Sequence, residues 1–402
     1  MAKRTGGFIG QDGINAPDQA TGVTGTAGDA QVDVSFTSPS DVGGAAVTGY
    51  RVTDSTGAHT ASGSASPVTV TGLTNGTSYT FNVWAINPFG WSTASDASGS
   101  VTPALPPLTG DIAIFSGGGS NGQASTSLTY VTITSTGNAA SFGSLTAAIS
   151  SHGSCSSSTR GVFAGGYNGS STSQSTISYV TIVSRGNSTF FGTLTAARSN
   201  LSSASNDTRG IFFGGSATPN GTAINNIEYI TIGSTGNGTD FGDLGITAKW
   251  SAAAASTTRA LKLGGYSASR INVIEYVTIG STGNGTDFGD LSSVRNSLAA
   301  CSSSTRAVTG GGNARTNIMD YVTISSTGNG TDFGDLQVAT ENLFGTSNAT
   351  RGLFAGGQTD SGTVNTIQYI TIASTGNTTD FGDLITNQSD GKACSNAHGG
   401  IA

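Results

Sequence analysis

Between residues 16 and 103, apolar and polar positions alternate with a period of two in four short runs: 31–36, 47–52, 67–71 and 79–85. Such alternation buries one face of a strand and leaves the other outside, and clusters of Gly, Pro, Asn and Ser separate the runs. The segment's 88 positions suit a small sandwich of seven strands. In the last run Tyr79, Phe81, Val83 and Ala85 share the inner face, so Trp84 is expected to point outward. Phe89 and Trp91 follow in the loop NPFGW, and outward aromatics of this size mark an interface. Trp84, Phe89 and Trp91 are therefore the candidate contact residues.

From residue 110 the pattern becomes periodic. Tyr-Val/Ile-Thr-Ile recurs at Tyr130, Tyr179, Tyr229, Tyr276, Tyr321 and Tyr369, with spacings of 49, 50, 47, 45 and 48 residues. Each unit holds four strand-sized pieces. In one of them the second, third and fourth are 259–265, 272–279 and 285–291, and 296–302 then supplies the first strand of the next unit. A period of 40–50 residues built from short strands predicts radial sheets in which neighbours cover both faces. Segment 111–117 matches the second strand of a unit and 392–398 matches the first. The far end of the repeats is therefore expected to complete the first sheet and close a six-bladed ring. Residues 104–109, with a Pro pair, read as a stiff linker, and residues 1–15 as a flexible Gly-rich arm.

The segment GLTNGTSYTFNVWAINPFG resembles a fibronectin type III domain. Leu73 and Tyr79 match its tyrosine corner, while Phe36 stands where that family usually carries a core Trp. The repeats resemble Kelch units. Gly-Gly doublets end the second strand at Gly117–Gly118, Gly165–Gly166, Gly214–Gly215, Gly264–Gly265, Gly311–Gly312 and Gly356–Gly357. An aromatic follows each Tyr by twelve residues, but it is Phe throughout (Phe142, Phe191, Phe241, Phe288, Phe333 and Phe381) where Kelch units usually have Trp. The Arg that commonly opens a Kelch unit survives only as Arg198 and Arg295. The implied fold is all-β: a fibronectin type III-like sandwich over 16–103 and a six-bladed Kelch-like β-propeller over 110–402.

Composition narrows the function. The chain has 402 residues, 61 of them Gly and 115 Ser or Thr, with 10% charged residues and a net charge of −7. Four Lys and no basic cluster beyond Lys3 and Arg4 make a nucleic-acid partner unexpected. No apolar run is long enough to span a membrane, and the N-terminus lacks the apolar stretch of a secretory signal.

Candidate chemistry is sparse. Cys155, Cys301 and Cys394 occupy one repeat position and are expected as small buried thiols, not a disulfide or metal set. The acid pairs of TDFGDL (Asp240/Asp243, Asp287/Asp290, Asp332/Asp335, Asp380/Asp383) are expected to do turn chemistry, with weak calcium sites as the alternative. Arg160, Arg209, Arg259, Arg306 and Arg351 head the second strands and are expected as exposed rim residues, with an anion-gripping ring as the alternative. The three histidines, His59, His152 and His398, form no catalytic set by spacing. No catalytic residue, cofactor or metal is expected.

The Gly-rich start, the fibronectin-like module and the near-identical YVTIxSTGNxTDFGDL units together resemble virion proteins of marine bacteriophages, tail-fibre-like ones included. The resemblance implies a non-enzymatic protein of the particle surface. It would be present in several copies, docked to other virion proteins by its N-terminal region, with the propeller offered to a host glycan or protein. A capsid or tail decoration protein is the alternative, and a glycan-active enzyme a remote third.

Overall fold

A computed structural model describes residues 14–120, 123–170 and 172–401. Residues 1–13, and so nearly all of the expected arm, lie outside the described residues. The elements are strands and turns, in two compact units, Met1–Pro107 and Leu108–Ala402.

The first unit is a sandwich. One sheet joins Thr21–Gly28, Gln31–Thr37 and Val68–Thr71; the other joins Thr60–Gly63, Gly49–Asp54, Phe81–Asn87 and Gly90–Trp91. Val32, Val34, Val68 and Val70 from the first sheet meet Tyr50, Val52, Phe81, Val83 and Ala85 from the second in one core. Four strands follow the expected alternation. Thr21–Gly28 was not visible in the pattern because it is an edge strand with no fully buried residue, so nothing selects apolar side chains there. Leu73 is buried, and the hydroxyl of Tyr79 accepts a bond from the N–H of Thr74 at 3.1 Å, which makes the tyrosine corner.

The second unit consists of six separate four-stranded antiparallel sheets. Sheet 1 is Ile112–Ser116, Ser125–Thr132 and Ala140–Ile149, with Lys392–Ser395 as its fourth strand. That strand pairs antiparallel with Ile112–Ser116, Lys392 opposite Ser116 and Ser395 opposite Ala113. Sheets 2 to 6 each take four strands in chain order, beginning at Gly153–Ser156, Ser202–Ser205, Ala252–Ala255, Ala299–Ser302 and Phe344–Ser347.

The core lies between sheets, which is why both faces of a strand are apolar. Leu261, Leu263, Ile274 and Phe288 of sheet 4 pack on Ala307, Val322 and Ile324 of sheet 5. In the same way Phe344, Leu353, Ile367 and Phe381 of sheet 6 pack on Ala113, Phe115, Val131 and Ile133 of sheet 1. Each repeat Tyr meets the Phe twelve residues on edge-to-face, with centroids 5.8–6.2 Å apart.

Candidate functional site

Two of the three expected contact residues of the sandwich, Trp84 and Trp91, share a stack with Arg51. Trp84 points away from the core and is half-buried; Phe89 and Trp91 are 48% and 45% exposed. The Arg51 guanidinium lies between the two tryptophans, 4.9 Å from the Trp84 ring and 5.0 Å from that of Trp91. Register explains the arrangement, because Arg51 pairs with Trp84 and Ile86 with Trp91 across neighbouring strands.

In the repeats, most conspicuous polar residues join one sheet to the next. The five strand-two arginines are half-buried, which corrects the expectation of exposed rim residues. Each guanidinium stacks on the Tyr of its own sheet at 4.2–4.6 Å. Each also donates through Nη1 to a carbonyl of the following sheet: Arg160 to Ile232, Arg209 to Ile279, Arg259 to Ile324, Arg306 to Ile372 and Arg351 to Ile133. Sheet 1 has Ile112 at this position, and Arg185 of sheet 2 covers its Tyr130 instead, at 5.9 Å. Each of these cations is thus tied into an inter-sheet contact by one nitrogen and by the face of its own Tyr.

The acid-rich motif also needs correction. TDFGD is strand, not turn, and among the described residues none of its carboxylates accepts a hydrogen bond. Backbone atoms carry the role instead. The N–H of the motif's last Asp donates to the side-chain oxygen of the Asn in the next sheet's STGN turn, as in Asp243 to Asn284, Asp290 to Asn329 and Asp335 to Asn377, at 2.9–3.0 Å. Ser144 to Asn187 and Thr193 to Asn237 repeat it, and Asp383 of sheet 6 donates to Asn138 of sheet 1. The Gly before that Asp is required because the next turn comes too close: a Cβ on Gly289 would meet the Gly328 carbonyl. The Asn-Gly-Thr sequences are therefore inter-sheet joints.

Three cation–carboxylate pairs are buried: Arg198 with Glu228 and Arg295 with Asp320, in which the Arg comes from the segment that connects two sheets, and Lys262 with Glu275, directly opposite each other on neighbouring strands of sheet 4. Burial pushes all three cations below their ordinary pKa, and the facing carboxylate opposes that shift. Arg198 and Arg295 also donate to carbonyls of the following sheet, Gly214 and Asn226 for one and Gly311 and Ile318 for the other.

The first strands of all six sheets line a central cavity of about 60 Å³. Its wall is made of Ser, Ala, Gly, Thr and the three free, buried cysteines, whose thiols burial pushes up in pKa. Hydroxyls join neighbouring strands: Ser205 to the carbonyl of Ser156, Ser156 to Ser395, Ser395 to Ser347, Ser347 to Ser302 and Ser302 to Ala255.

Residues 396–400 run across one end of this cavity. His398 Nε2 lies 3.2 Å from both the Ser156 carbonyl and the Ser205 hydroxyl, and the N–H of Gly399 donates to the Ser302 carbonyl at 3.1 Å. A Cβ on Gly399 or Gly400 would strike the carbonyl of Ser303 or Ser205. Burial pushes the His398 imidazole down to about 4, partly opposed by its bond to Ser156, and His152 down to about 3.

The other end is bounded by six residues, one from each inter-sheet junction: Ser151, Asn200, Trp250, Ser297, Asn342 and Asp390. All six have a left-handed backbone, with φ between 51° and 60°. The N–H of each donates to the carbonyl of the one before, at 2.7–3.0 Å, and Ser151 donates to Asp390, so the six bonds return to their starting residue. Trp250, Asn342, Asp390 and Lys392 line the cavity at this end. Burial pushes Asp390 up to about 6, against the pull of Lys392. Sequence reasoning missed this set. Its trace is a repeat position two residues before each first strand, filled by Ser, Asn or Asp in five units and by Trp in one. Among the described residues no group of three or more His, Cys, Asp or Glu is placed to hold a metal ion.

No curated protein matches the chain. One family does match part of it, the fibronectin type III domain, over residues 16–100. The N-terminal sandwich, with its tyrosine corner, is a fibronectin type III domain.

Proposed function

We propose that the chain is a non-enzymatic surface protein of a bacteriophage particle, a tail-fibre or appendage component, in which a fibronectin type III module carries a six-bladed, Kelch-like propeller for attachment to the host surface. Support for the propeller comes from three features that each link sheet 6 to sheet 1: the six-membered backbone circuit, the Asn joints and the Phe344–Phe115 core. Support for display comes from what the repeated polar residues are used for. Arginines, asparagines and two of the three buried ion pairs are spent on joining sheets, which leaves the unrepeated residues of loops and cavity mouth to meet a ligand. That division of labour is the observation that carries the reading. The loops 216–221 and 313–316 differ in length and composition between units, as recognition loops do.

Antibody-labelled electron microscopy of particles, set beside binding of the purified chain to host cells, tests it. Label on fibres or appendages together with saturable cell binding is the expected result. Label spread over the capsid without cell binding would replace the reading with a decoration role, and release of sugar from host polysaccharide would replace it with an enzyme.

A further inference from the structure

Trp250 is out of place by local rules. A left-handed backbone suits Gly, Asn and Asp, and is a true outlier for a bulky residue. Three of the five equivalent positions obey the rule with Asn200, Asn342 and Asp390 and two hold the small Ser151 and Ser297, while the bulky Trp250 holds φ 53°. A bulky residue retained at such a position of a repeat, where the siblings are Asn, Asp or the small Ser, points to a use for the side chain.

The indole is held firmly. The Lys249 ammonium sits 4.2 Å from its centroid and itself donates to the Gly221 carbonyl at 2.6 Å. Tyr266 meets the indole edge-on at 5.7 Å. Trp250 nevertheless lines the cavity mouth beside Asn342, Asp390 and Lys392. Among the described residues the Lys392 ammonium makes no hydrogen bond or ion pair, and the residue lines both this mouth and the wall beneath it.

We propose that this mouth binds a saccharide, with the sugar ring over Trp250 and one polar substituent reaching inward to Asp390, Asn342 and Lys392. An aromatic plate beside a ring of hydroxyl, amide, carboxylate and ammonium groups matches a sugar, which has an apolar C–H face and a polar edge. The mouth cavity, about 20 Å³, takes a water-sized group, so a hydroxyl enters and the ring stays outside. The opposite end is crossed by residues 396–400, so the ligand approaches from the Trp250 side. The proposal names the ligand class for the display reading and rests on it only for its biological purpose.

Trp250 is the only tryptophan outside the fibronectin module, so the full chain carrying Trp84→Phe and Trp91→Phe reports this site alone by fluorescence. Titration with glucose, galactose, N-acetylglucosamine and glucuronate, each to about 100 mM because single sugars bind weakly, should shift or quench the emission for at least one. Trp250→Asn installs a sibling residue. It should melt no lower than the parent and bind the responding sugar about tenfold more weakly or worse, followed by calorimetry. No emission change with any of the four sugars overturns the proposal. So does a Trp250→Asn protein that melts lower yet keeps its affinity, since the indole is then a structural plug. Host-cell binding by a protein that fails the titration would leave the display reading standing and remove only this site. A positive titration by a protein absent from particles would do the reverse.

Discussion

At the scale of single residues, the inner strands show size complementarity between sheets. A Cβ on Gly210 or Gly352 would run into the sulfur of Cys155 or Cys301, and one on Gly161 would come within 3.0 Å of Cys394. Where the inner strand has Ala204, Ala254 or Thr346 in place of Cys, the facing position holds Ala260, Ala307 or Ala113 in place of Gly. Gly210→Ala should therefore destabilise the fold by about 1–3 kcal/mol in denaturant titrations, and Cys155→Ala should restore most of the loss. Equal, additive losses would show that the two residues do not press on each other. This pairing was present in the sequence, but it is visible only once the facing sheet is known. The tyrosine corner was legible earlier, because Leu73 and Tyr79 are six residues apart and form one local structure. Trp250 was the hardest to see, since the left-handed backbone that makes its bulk unusual there leaves no mark in the sequence.

At the scale of elements, the repeats contain their own control for the buried ion pairs. Arg295 with Asp320 stands where the next sheet has Thr340 with Gln368. The neutral version keeps the acceptor role, since Gln368 Oε1 takes bonds from the N–H of Gln337 and the hydroxyl of Thr378. Arg295→Thr alone strands a buried carboxylate and should cost about 3–5 kcal/mol, while Arg295→Thr with Asp320→Gln should recover most of it. Strand positions were readable from period-two alternation, but their burial on both faces hid which polar residues cross between sheets. The five arginines were mistaken for rim residues for this reason. Headed by turns, they look solvated in sequence, yet their partners lie 65–72 residues further on, or 218 back in the case of Arg351.

At the scale of the molecule, acid should loosen the second unit. His152 and His398 titrate near 3 and 4 when folded and near 6.5 when unfolded, so the unfolded chain binds the extra protons. Their contribution is complete above about pH 6.5 and is lost as pH falls toward 4, on the order of 2 kcal/mol per histidine by pH 5. Asp390 works the other way. With a folded value of about 6 it takes up a proton on folding between roughly pH 6 and 4, which returns part of the loss. Melting temperature should drop between pH 7 and 5, and His398→Gln should flatten that slope; an unchanged slope would mean that His398 is open to solvent. Deleting residues 388–402 removes the strand paired with Ile112–Ser116 and should leave an open, aggregating array. A truncated chain that stays monomeric and melts like its parent would refute the proposed closure.

The same pairing governs how the protein answers a pull. Tension arriving through the fibronectin module enters the second unit at Ile112–Ser116, which is flanked by Lys392–Ser395 on one edge and Ser125–Thr132 on the other. Traction cannot peel this strand from an outer border, because both of its ladders must break together. If the chain serves as the proposed adhesive tip, the pull of an attached cell would thus be taken by a segment fastened on both sides.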